Sequence, residues 1–263
     1  GGPIPTDGLD NRIDYIFEDK NFDPSRLILI ENTAASSPAG YQGDLEISSL
    51  YITLDAYLNE NFRLAAGIRN EDGEQMVNTY DVFQMVDNNI EKIIDEDYTL
   101  PSFTLTYLPE FDENLQIRLG LSQTIARPTF RELSPTLFID VDTDRVISGS
   151  LYLENSEIDN IDLRVEYYWG FNQFLTAGLF FKDISKPIEE VVNESGDLII
   201  TSYQNVPSAE VTGFEIEYER IYEDLLPDSK WGSTKEFIFK MNFTATDSEV
   251  IYSDTDTYIN TQG

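Results

Sequence analysis

The chain has 263 residues, enough for one large domain or two small ones, and its hydrophobic (41%) and charged (25%) contents are those of a folded protein. Lys and Arg number 17 against 49 Asp and Glu, and the resulting net charge of −32 excludes nucleic acid as a partner because it repels phosphates. The absence of Cys and His excludes disulfides, thiolate nucleophiles, a histidine base and the common zinc sites.

The first half of the chain alternates between apolar and polar residues with a period of two. This pattern covers residues 50–58 and 62–69, which flank a short turn at 59–61 and predict a β-hairpin. It returns at residues 102–107 and, after a turn near 109–114, at residues 115–122. Because residues i and i+2 of a strand share a face, each segment has one apolar and one polar side.

The second half of the chain continues the same alternation. Residues 161–169 and 174–182 predict two strands around a tight turn at 170–173, and further strands follow at 214–219 and 237–244. We identify no helix longer than one or two turns. The sequence therefore predicts an all-β, antiparallel fold.

The predicted connections fall into two length classes. Three are short, at residues 59–61, 110–114 and 170–173. The others are long and polar or acidic, and they comprise residues 70–97, 126–149, 185–196 and 222–234. Alternation of short turns with long loops is typical of outer-membrane β-barrels, whose short turns face the periplasm.

Alternation alone leaves two architectures open. An apolar face suits the lipid side of a transmembrane β-barrel, and it equally suits the core of a soluble β-sandwich. No run approaches the roughly 18–20 apolar residues of a transmembrane helix, although a barrel strand needs only about 9–11 residues. Aromatic residues near predicted strand ends favour the barrel because such rings form interfacial girdles; they include Tyr107, Tyr167, Tyr168 and Trp169.

Several motifs in chain order decide between these architectures. A strand start at Leu100-Pro101-Ser102 is followed by residues 122–135, whose S-x-T-x-A-R-P-x-F-x-E-L-x-P pattern resembles the C-terminal barrel half of TonB-dependent receptors. Other segments are similar to strands of the same family: residues 66–71, 178–184, 203–207 and 211–215. The resemblance extends from about Leu45 to Asn242, and it implies an antiparallel up-and-down transmembrane β-barrel.

The resemblance also implies a function. Such receptors lie in the outer membrane of Gram-negative bacteria and import a scarce nutrient, for example a carbohydrate or an iron–siderophore. Extracellular loops capture the ligand, and the TonB system drives uptake through a plug domain. The expected partners are therefore outer-membrane lipid, the TonB system and a small-molecule or oligosaccharide ligand, and we expect no enzymatic activity and no cofactor.

The resemblance covers only part of a receptor. We recognise neither a plug domain nor an energy-coupling box, and residues 260–263 lack the terminal aromatic strand of the family. At about 20 residues per strand and connection, the chain provides roughly 11–13 strands, half of the 22 in such transporters. We therefore expect residues 1–263 to be part of a single barrel domain within a longer protein, because an open half-barrel would leave two unpaired edges in lipid.

Two groups of residues are candidates for ligand binding. Glu215, Glu217 and Glu219 share one face of a predicted strand, where we expect ion pairs with arginines of other strands, drawn from Arg63, Arg69, Arg118 and Arg164. Arg127, Arg131 and Glu132 belong to the family-like motif. We expect Pro128 to end a strand and Arg131 and Glu132 to form an ion pair at a loop base; contact with substrate is the alternative for these residues.

A calcium site is a third candidate. Asp140, Asp142 and Asp144 have the D-x-D-x-D spacing that begins a calcium loop. The pattern then departs from that motif, because Arg145 occupies the glycine position and Leu151 the bidentate glutamate position. The sequence is therefore compatible with a loose surface Ca²⁺ site at most.

Two alternative functions belong to other classes. A soluble or cell-surface β-sandwich would use the acidic loops as a calcium-supported binding surface. A glycosidase on a β scaffold would use Glu215 and Glu217 as its paired carboxylates.

Overall fold

The computed structural model describes residues 40–80, 91–140, 145–195, 198–226 and 234–252. These segments contain twelve strands and one helical turn: β1 (Gly40–Tyr57), β2 (Phe62–Tyr80), β3 (Glu91–Tyr107), β4 (Leu115–Ala126), α1 (Phe130–Leu133), β5 (Phe138–Ile139), β6 (Val146–Ile147), β7 (Ser156–Gly170), β8 (Gln173–Ser185), β9 (Ile188–Ser195), β10 (Leu198–Asn205), β11 (Ser208–Leu226) and β12 (Thr234–Ile251). Twelve described strands fall within the expected range of roughly 11–13, although only eight of them belong to the barrel sheet.

Eight of these strands form one antiparallel sheet, which we call the wall. Its order is β1-β2-β3-β4-β7-β8-β11-β12, so strands adjacent in the sheet follow one another along the chain except where loop elements intervene. The remaining four strands form a separate small sheet in the order β5-β6-β10-β9. The sequential order of the wall is that of an up-and-down barrel and excludes two packed sandwich sheets.

The wall has one apolar face, because the register aligns the apolar positions of all its strands. One row across the eight strands is apolar throughout and consists of Ala56, Leu64, Leu105, Leu119, Leu163, Leu179, Phe214 and Ala245. These side chains have no protein layer over them: Leu163 is 40% exposed and Leu179 is 59% exposed. A contiguous exposed apolar face of this extent requires an apolar environment.

The opposite face of the wall has mostly polar or small residues, with Phe180 as an exception. The next row, one residue along each strand, consists of Asp55, Ala65, Thr104, Gly120, Asp162, Phe180, Gly213 and Thr246. Apolar and polar rows alternate because neighbouring residues of a strand point to opposite faces. We call these two surfaces the apolar face and the polar face.

The strands are staggered as a barrel requires. The apolar row lies two residues after Phe62 in β2, four residues after Leu115 in β4 and six residues after Gln173 in β8. A sheet closes into a barrel only when its strands tilt and their register shifts steadily from strand to strand. The wall therefore has the shear of a barrel segment.

Aromatic residues border the apolar face at the end where the short turns lie, which we call the turn end. Tyr167, Trp169 and Tyr218 are linked through ring centroids 5.7 and 5.6 Å apart, and Arg220 places its guanidinium over the Trp169 ring. This group matches an interfacial girdle with an arginine that extends to the polar boundary. Tyr168 is not a member, because it lies on the polar face beside Phe174, so that part of the prediction is wrong.

Carboxylates border the apolar face at the other end, which we call the loop end. Asp159, Asp183, Glu210 and Glu249 occupy one row on four adjacent strands. On β7, eight residues separate Asp159 from Tyr167, which corresponds to about 20 Å along the barrel axis for tilted strands. This height approaches the roughly 25 Å apolar band of outer-membrane barrels.

Three predicted loops are wrong in part. Residues 70–97 contain the ends of β2 and β3, and residues 185–196 contain β9. The predicted 222–234 loop begins inside β11, and the paired ends of β11 and β12 that flank it lie at the turn end, on the side of the short turns. Beyond the apolar band, acidic residues continue a backbone ladder without an apolar face, so alternation no longer reveals the strand.

Pro101 lies at the point where β4 separates from β3 while β3 remains paired with β2. The β3–β4 pairing ends at the Ser102–Ser122 pair, whereas β3 continues along β2 to the Asn78–Glu91 pair. A proline cannot donate a ladder hydrogen bond, so the pairing stops beside it. The chain after β4 is therefore free to cross onto the polar face of β1–β3.

The assignment of the two faces predicts that substitutions at adjacent residues of β7 have different effects on stability. We expect Leu163→Arg to lower the free energy of unfolding in lipid vesicles by about 2–4 kcal/mol, because it places a cation on the apolar face at mid-height. Asp162→Arg, on the polar face, is the matched control and changes it by less than about 1 kcal/mol. Equal losses for the two variants in denaturant titrations would contradict the assignment of faces.

Candidate functional site

A layer of loop elements covers the polar-face side of β1–β3 at the loop end. We call α1 together with the sheet β5-β6-β10-β9 the loop layer. Its contact with the wall is a small apolar core of Val77, Ile94, Leu133 and Leu153, against which Tyr41, Phe130, Ile188 and Tyr203 pack. Val77 on β2 and Ile94 on β3 point to the polar face of the wall. The loop layer therefore lies on the side of the wall that faces the barrel interior.

A buried ion-pair network fixes the base of the loop layer. The Glu71 side chain is 8% exposed, and its carboxylate oxygens lie 2.6 Å from Arg127 Nη2 and 2.7 Å from Arg69 Nη2. Beside it, Gln75 Nε2 donates to the Pro128 carbonyl over 2.7 Å. The chain is thus attached to β2 at the point where it leaves β4, which ends at Ala126 as expected from Pro128.

The ionisation of Glu71 depends on this network. Burial opposes the charged carboxylate, but hydrogen bonds from Arg127 and Arg69 outweigh it and hold the pKa of Glu71 below its ordinary value of 4.5. A carboxyl whose pKa is depressed in the folded state stabilises that state above its unfolded pKa. This stabilisation is lost as pH falls below about 4.5 and through the folded pKa.

The predicted ion pair between Arg131 and Glu132 is wrong. Glu132 accepts a hydrogen bond from the Thr129 backbone N–H over 2.7 Å, and Thr129 Oγ1 accepts one from the Glu132 N–H over 3.3 Å. This capping box begins α1. Arg131 instead places its guanidinium over the Phe138 ring, 4.6 Å from the centroid. Adjacent helical residues point in different directions, which separates the two charges.

Gly149 closes the loop layer over α1. Its N–H donates to the Ser134 carbonyl over 2.8 Å, and the Ser150 N–H donates to the Glu132 carbonyl. A Cβ at position 149 would lie 2.3 Å from the Ser134 oxygen and 2.5 Å from the Glu132 oxygen. Only glycine lets the backbone approach these carbonyls so closely.

The predicted glutamates lie on the polar face of the wall, in an ion-pair network around Arg164. Arg164 lies 3.6 Å from Glu215, 3.4 Å from Glu217 and 3.1 Å from Glu166. Glu166, whose side chain is 4% exposed, also pairs with Arg118 at 3.2 Å. The expected pairing of Glu215 and Glu217 with an arginine of another strand is therefore confirmed for Arg164.

The other predicted pairings differ in their partners. Arg63 pairs with Asp55 on the neighbouring strand β1, and Glu219 pairs with Lys240. Arg69 and Arg118 pair with Glu71 and Glu166, respectively, rather than with the glutamates of β11.

The calcium candidate is described only in part. The Asp140 N–H donates to the Arg145 carbonyl over 2.9 Å and closes the β5–β6 turn. Asp142 and Asp144 lie outside the described residues, so the Ca²⁺ site stays a prediction. Within the described segments, no group of three or more acidic side chains is arranged to hold a metal ion.

The fold and these sites define a class of protein. A staggered antiparallel wall with an apolar outer face, a charged inner face and a loop layer above the band is part of a transmembrane β-barrel. In the described part of the chain, no helix is long and apolar enough to cross a membrane.

Comparison with known families gives the same answer. Residues 8–262 match the model of the family "TonB dependent receptor-like, beta-barrel", and the chain belongs to this family. Its members are outer-membrane transport receptors of Gram-negative bacteria, not enzymes. No protein of curated function matches the sequence.

Solved structures share the fold. The siderophore receptor PiuA from Acinetobacter baumannii is 15% identical with a TM-score of 0.57, over 84% of this chain and 28% of that one. The copper transporter OprC is 17% identical with a TM-score of 0.52, over 82% and 30%. A double mutant of the Serratia marcescens hemophore receptor HasR, in complex with its hemophore HasA and heme, is 11% identical with a TM-score of 0.51, over 68% and 33%. The chain thus spans about a third or less of these receptors.

Several residues at the site were not predicted from the sequence. Glu71, Tyr41, Phe138 and Tyr203 come from four separate segments. Glu71 and Tyr203 lie at the ends of the family-like segments 66–71 and 203–207, but neither segment indicated a contact with the loop layer. The Thr129-x-x-Glu132 spacing is a capping-box signature, so the role of Glu132 was readable from the sequence.

The network at the base of the loop layer predicts a pH-dependent effect. Arg127→Met removes one of the two cations on buried Glu71, so we expect the free energy of opening residues 128–150 to fall by about 1–3 kcal/mol at pH 7. The further loss of protection below about pH 4.5 should be smaller than in the unmodified protein, because the folded-state pKa of Glu71 then lies closer to its unfolded value. Amide hydrogen exchange at pH 3–7 measures both effects.

The matched control for this substitution is Arg145→Met, which removes the half-exposed pair with Glu190. We expect it to change protection by less than about 1 kcal/mol. Equal effects of the two variants would show that the buried network does not hold the loop layer.

The backbone approach at Gly149 predicts a difference between two glycines. Gly149→Ala forces a methyl group against backbone carbonyls, and we expect it to increase exchange of residues 129–150, with a cost of about 1–3 kcal/mol. Gly120→Ala is the control, because its Cβ would lie at an ordinary 3.6 Å from Asp162 Cβ. Unchanged exchange in Gly149→Ala would refute the close packing of α1.

Proposed function

We propose that this chain forms part of the barrel wall and ligand vestibule of an outer-membrane import receptor in a Gram-negative bacterium. The cargo would be a scarce nutrient such as a carbohydrate or an iron–siderophore. The loop layer would capture it from outside, and the TonB system would drive uptake through a plug domain. The chain would provide structure and ligand contacts, with no chemical catalysis.

The observation that carries this proposal is the position of the loop layer. It lies beyond the acidic row that borders the apolar face, and it covers the polar-face side of β1–β3 rather than the apolar side. A ligand bound there would stand at the mouth of the barrel interior. Membership of the TonB-dependent receptor family supports the same direction of transport.

The similar structures support a small cargo but leave its identity open. They are a siderophore receptor, a copper transporter and a hemophore receptor in complex with its hemophore and heme. At 11–17% identity these likenesses concern the fold. Loops determine specificity in scaffolds of this kind, and the same scaffold serves many ligands.

The charged network on the polar face supports a lining role. Arg164 neutralises Glu215 and Glu217 in part, and two arginines hold buried Glu166. These pairs join β4, β7 and β11 across the interior surface. We assign them to a solvated wall that faces the plug and the cargo, and not to the acid and base of a glycosidase.

The test is energy-dependent uptake by the complete receptor. In a Gram-negative host whose own uptake is disabled, the receptor should support growth on its nutrient, and disruption of TonB should abolish that growth. Replacing residues 137–147 by two glycines should abolish uptake while insertion into the outer membrane stays normal, because the wall is unchanged. Heat-modifiability of the barrel in gels measures insertion.

The matched control changes the opposite end of the wall. Glu110→Gln with Glu113→Gln alters acidic residues in the 108–114 turn, where no ligand capture is proposed, and should leave uptake unchanged. Uptake that persists without TonB, or that survives removal of residues 137–147, would contradict the proposal.

A further inference from the structure

Arg131 differs from most of the described arginines because it has no carboxylate partner among the described residues. Eight arginines are described there, and six of them form ion pairs: Arg63, Arg69, Arg118, Arg127, Arg145 and Arg164. Of the two without one, Arg220 lies in the aromatic girdle at the turn end. Among the described arginines, Arg131 alone lies in the loop layer without a described carboxylate partner.

The described contacts of Arg131 are with an aromatic ring and a backbone carbonyl. The Phe138 ring lies under the guanidinium, and Tyr41 and Tyr203 are close enough to influence its ionisation. The Ile147 carbonyl accepts a single long hydrogen bond of 3.4 Å from Arg131 Nη2. Burial lowers the pKa of Arg131 from its ordinary value, and only the Tyr41 and Tyr203 phenols act in the opposite direction.

The elements that provide these groups come from distant parts of the chain. Tyr41 is on β1, Arg131 on α1, Phe138 on β5 and Tyr203 on β10. Tyr41 and Tyr203 pack on the core of the loop layer, and this core holds their positions. Phe138 is 49% exposed, so the stacked pair of Phe138 and Arg131 is accessible from solvent.

We propose that Arg131, Phe138, Tyr41 and Tyr203 form a recognition site for an anionic oxygen group, a carboxylate or its equivalent, carried on a planar or apolar body. The guanidinium presents a rigid fork of N–H donors that matches two oxygens, and stacking on a ring leaves that fork available. The phenol groups add donors, and the rings bind the body of the ligand.

This assignment rests on the proposed function and deepens it, because it favours an acidic cargo over a neutral sugar. An acidic receptor gains no long-range attraction for such a ligand. Selectivity must therefore come from a short-range, partly desolvated contact, where a charge-assisted hydrogen bond is about twice as strong as a neutral one.

The experiment uses the complete receptor in lipid nanodiscs and a matched pair of small probes. Benzoate carries a carboxylate on a ring, and benzamide is its neutral counterpart. We expect ligand-observed NMR to show that benzoate binds at least tenfold more tightly than benzamide. Arg131→Gln should remove that preference, and Arg131→Lys should restore only part of it, since an ammonium lacks the planar fork.

Arg145→Gln is the matched control, because it removes the same charge from the loop layer at a site that already has a partner. It should keep the preference for benzoate. Hydrogen exchange of residues 129–150 establishes that each variant keeps the loop layer folded. Equal binding of the two probes, no binding of either probe, or a preference that survives Arg131→Gln would overturn the assignment.

The binding measurements test the anion site separately from the proposed transport function. TonB-dependent uptake of a neutral sugar, unchanged in Arg131→Gln, would refute the anion site while the proposed function stands. Benzoate selectivity in a protein that shows no TonB-dependent uptake would leave the site intact and refute the proposed function.

Discussion

The structure depends on the register that aligns apolar residues across eight strands. Because side chains alternate strictly along a strand, a slip of one residue would move every leucine of the row to the polar face and every charge to the apolar face. The row from Ala56 to Ala245 has no such slip. The ion pairs of Arg164 and the position of the loop layer over β2 and β3 both follow from it, because each needs the polar face to be continuous from strand to strand.

The wall was readable from the sequence wherever it faces an apolar environment. Alternation identified the parts of the strands near the turn end, and the family-like motifs separated a barrel from a sandwich. The loop-end parts of β2 and β3 could not be predicted, because Glu71 and Asp97 lie where no apolar face is required. There the backbone ladder alone maintains the strand, and hydrogen bonds between strands leave no signature in composition.

The loop layer was less predictable, for a physical reason. Its core joins Val77, Ile94, Leu133 and Leu153, which are separated by up to 76 positions and share no period. The motif containing Arg127 and Arg131 was recognised, but its contacts were not, since the carboxylate that pairs with Arg127 belongs to β2. The contacts of Arg131 come from three other segments of the chain. A sequence pattern could therefore identify the residue but could not predict what surrounds it.

The central claim is that the apolar face meets lipid and the polar face meets the barrel interior. This part of the protein contains no cysteine, so single cysteines at positions 161–165 of β7 can each carry a spin label in the complete receptor in bilayers, once any cysteine elsewhere in the receptor is replaced. Positions 161, 163 and 165 should be relaxed by membrane-dissolved oxygen, and positions 162 and 164 by a water-soluble nickel chelate. A nickel response at the odd positions, or the absence of a two-residue period, would contradict the account.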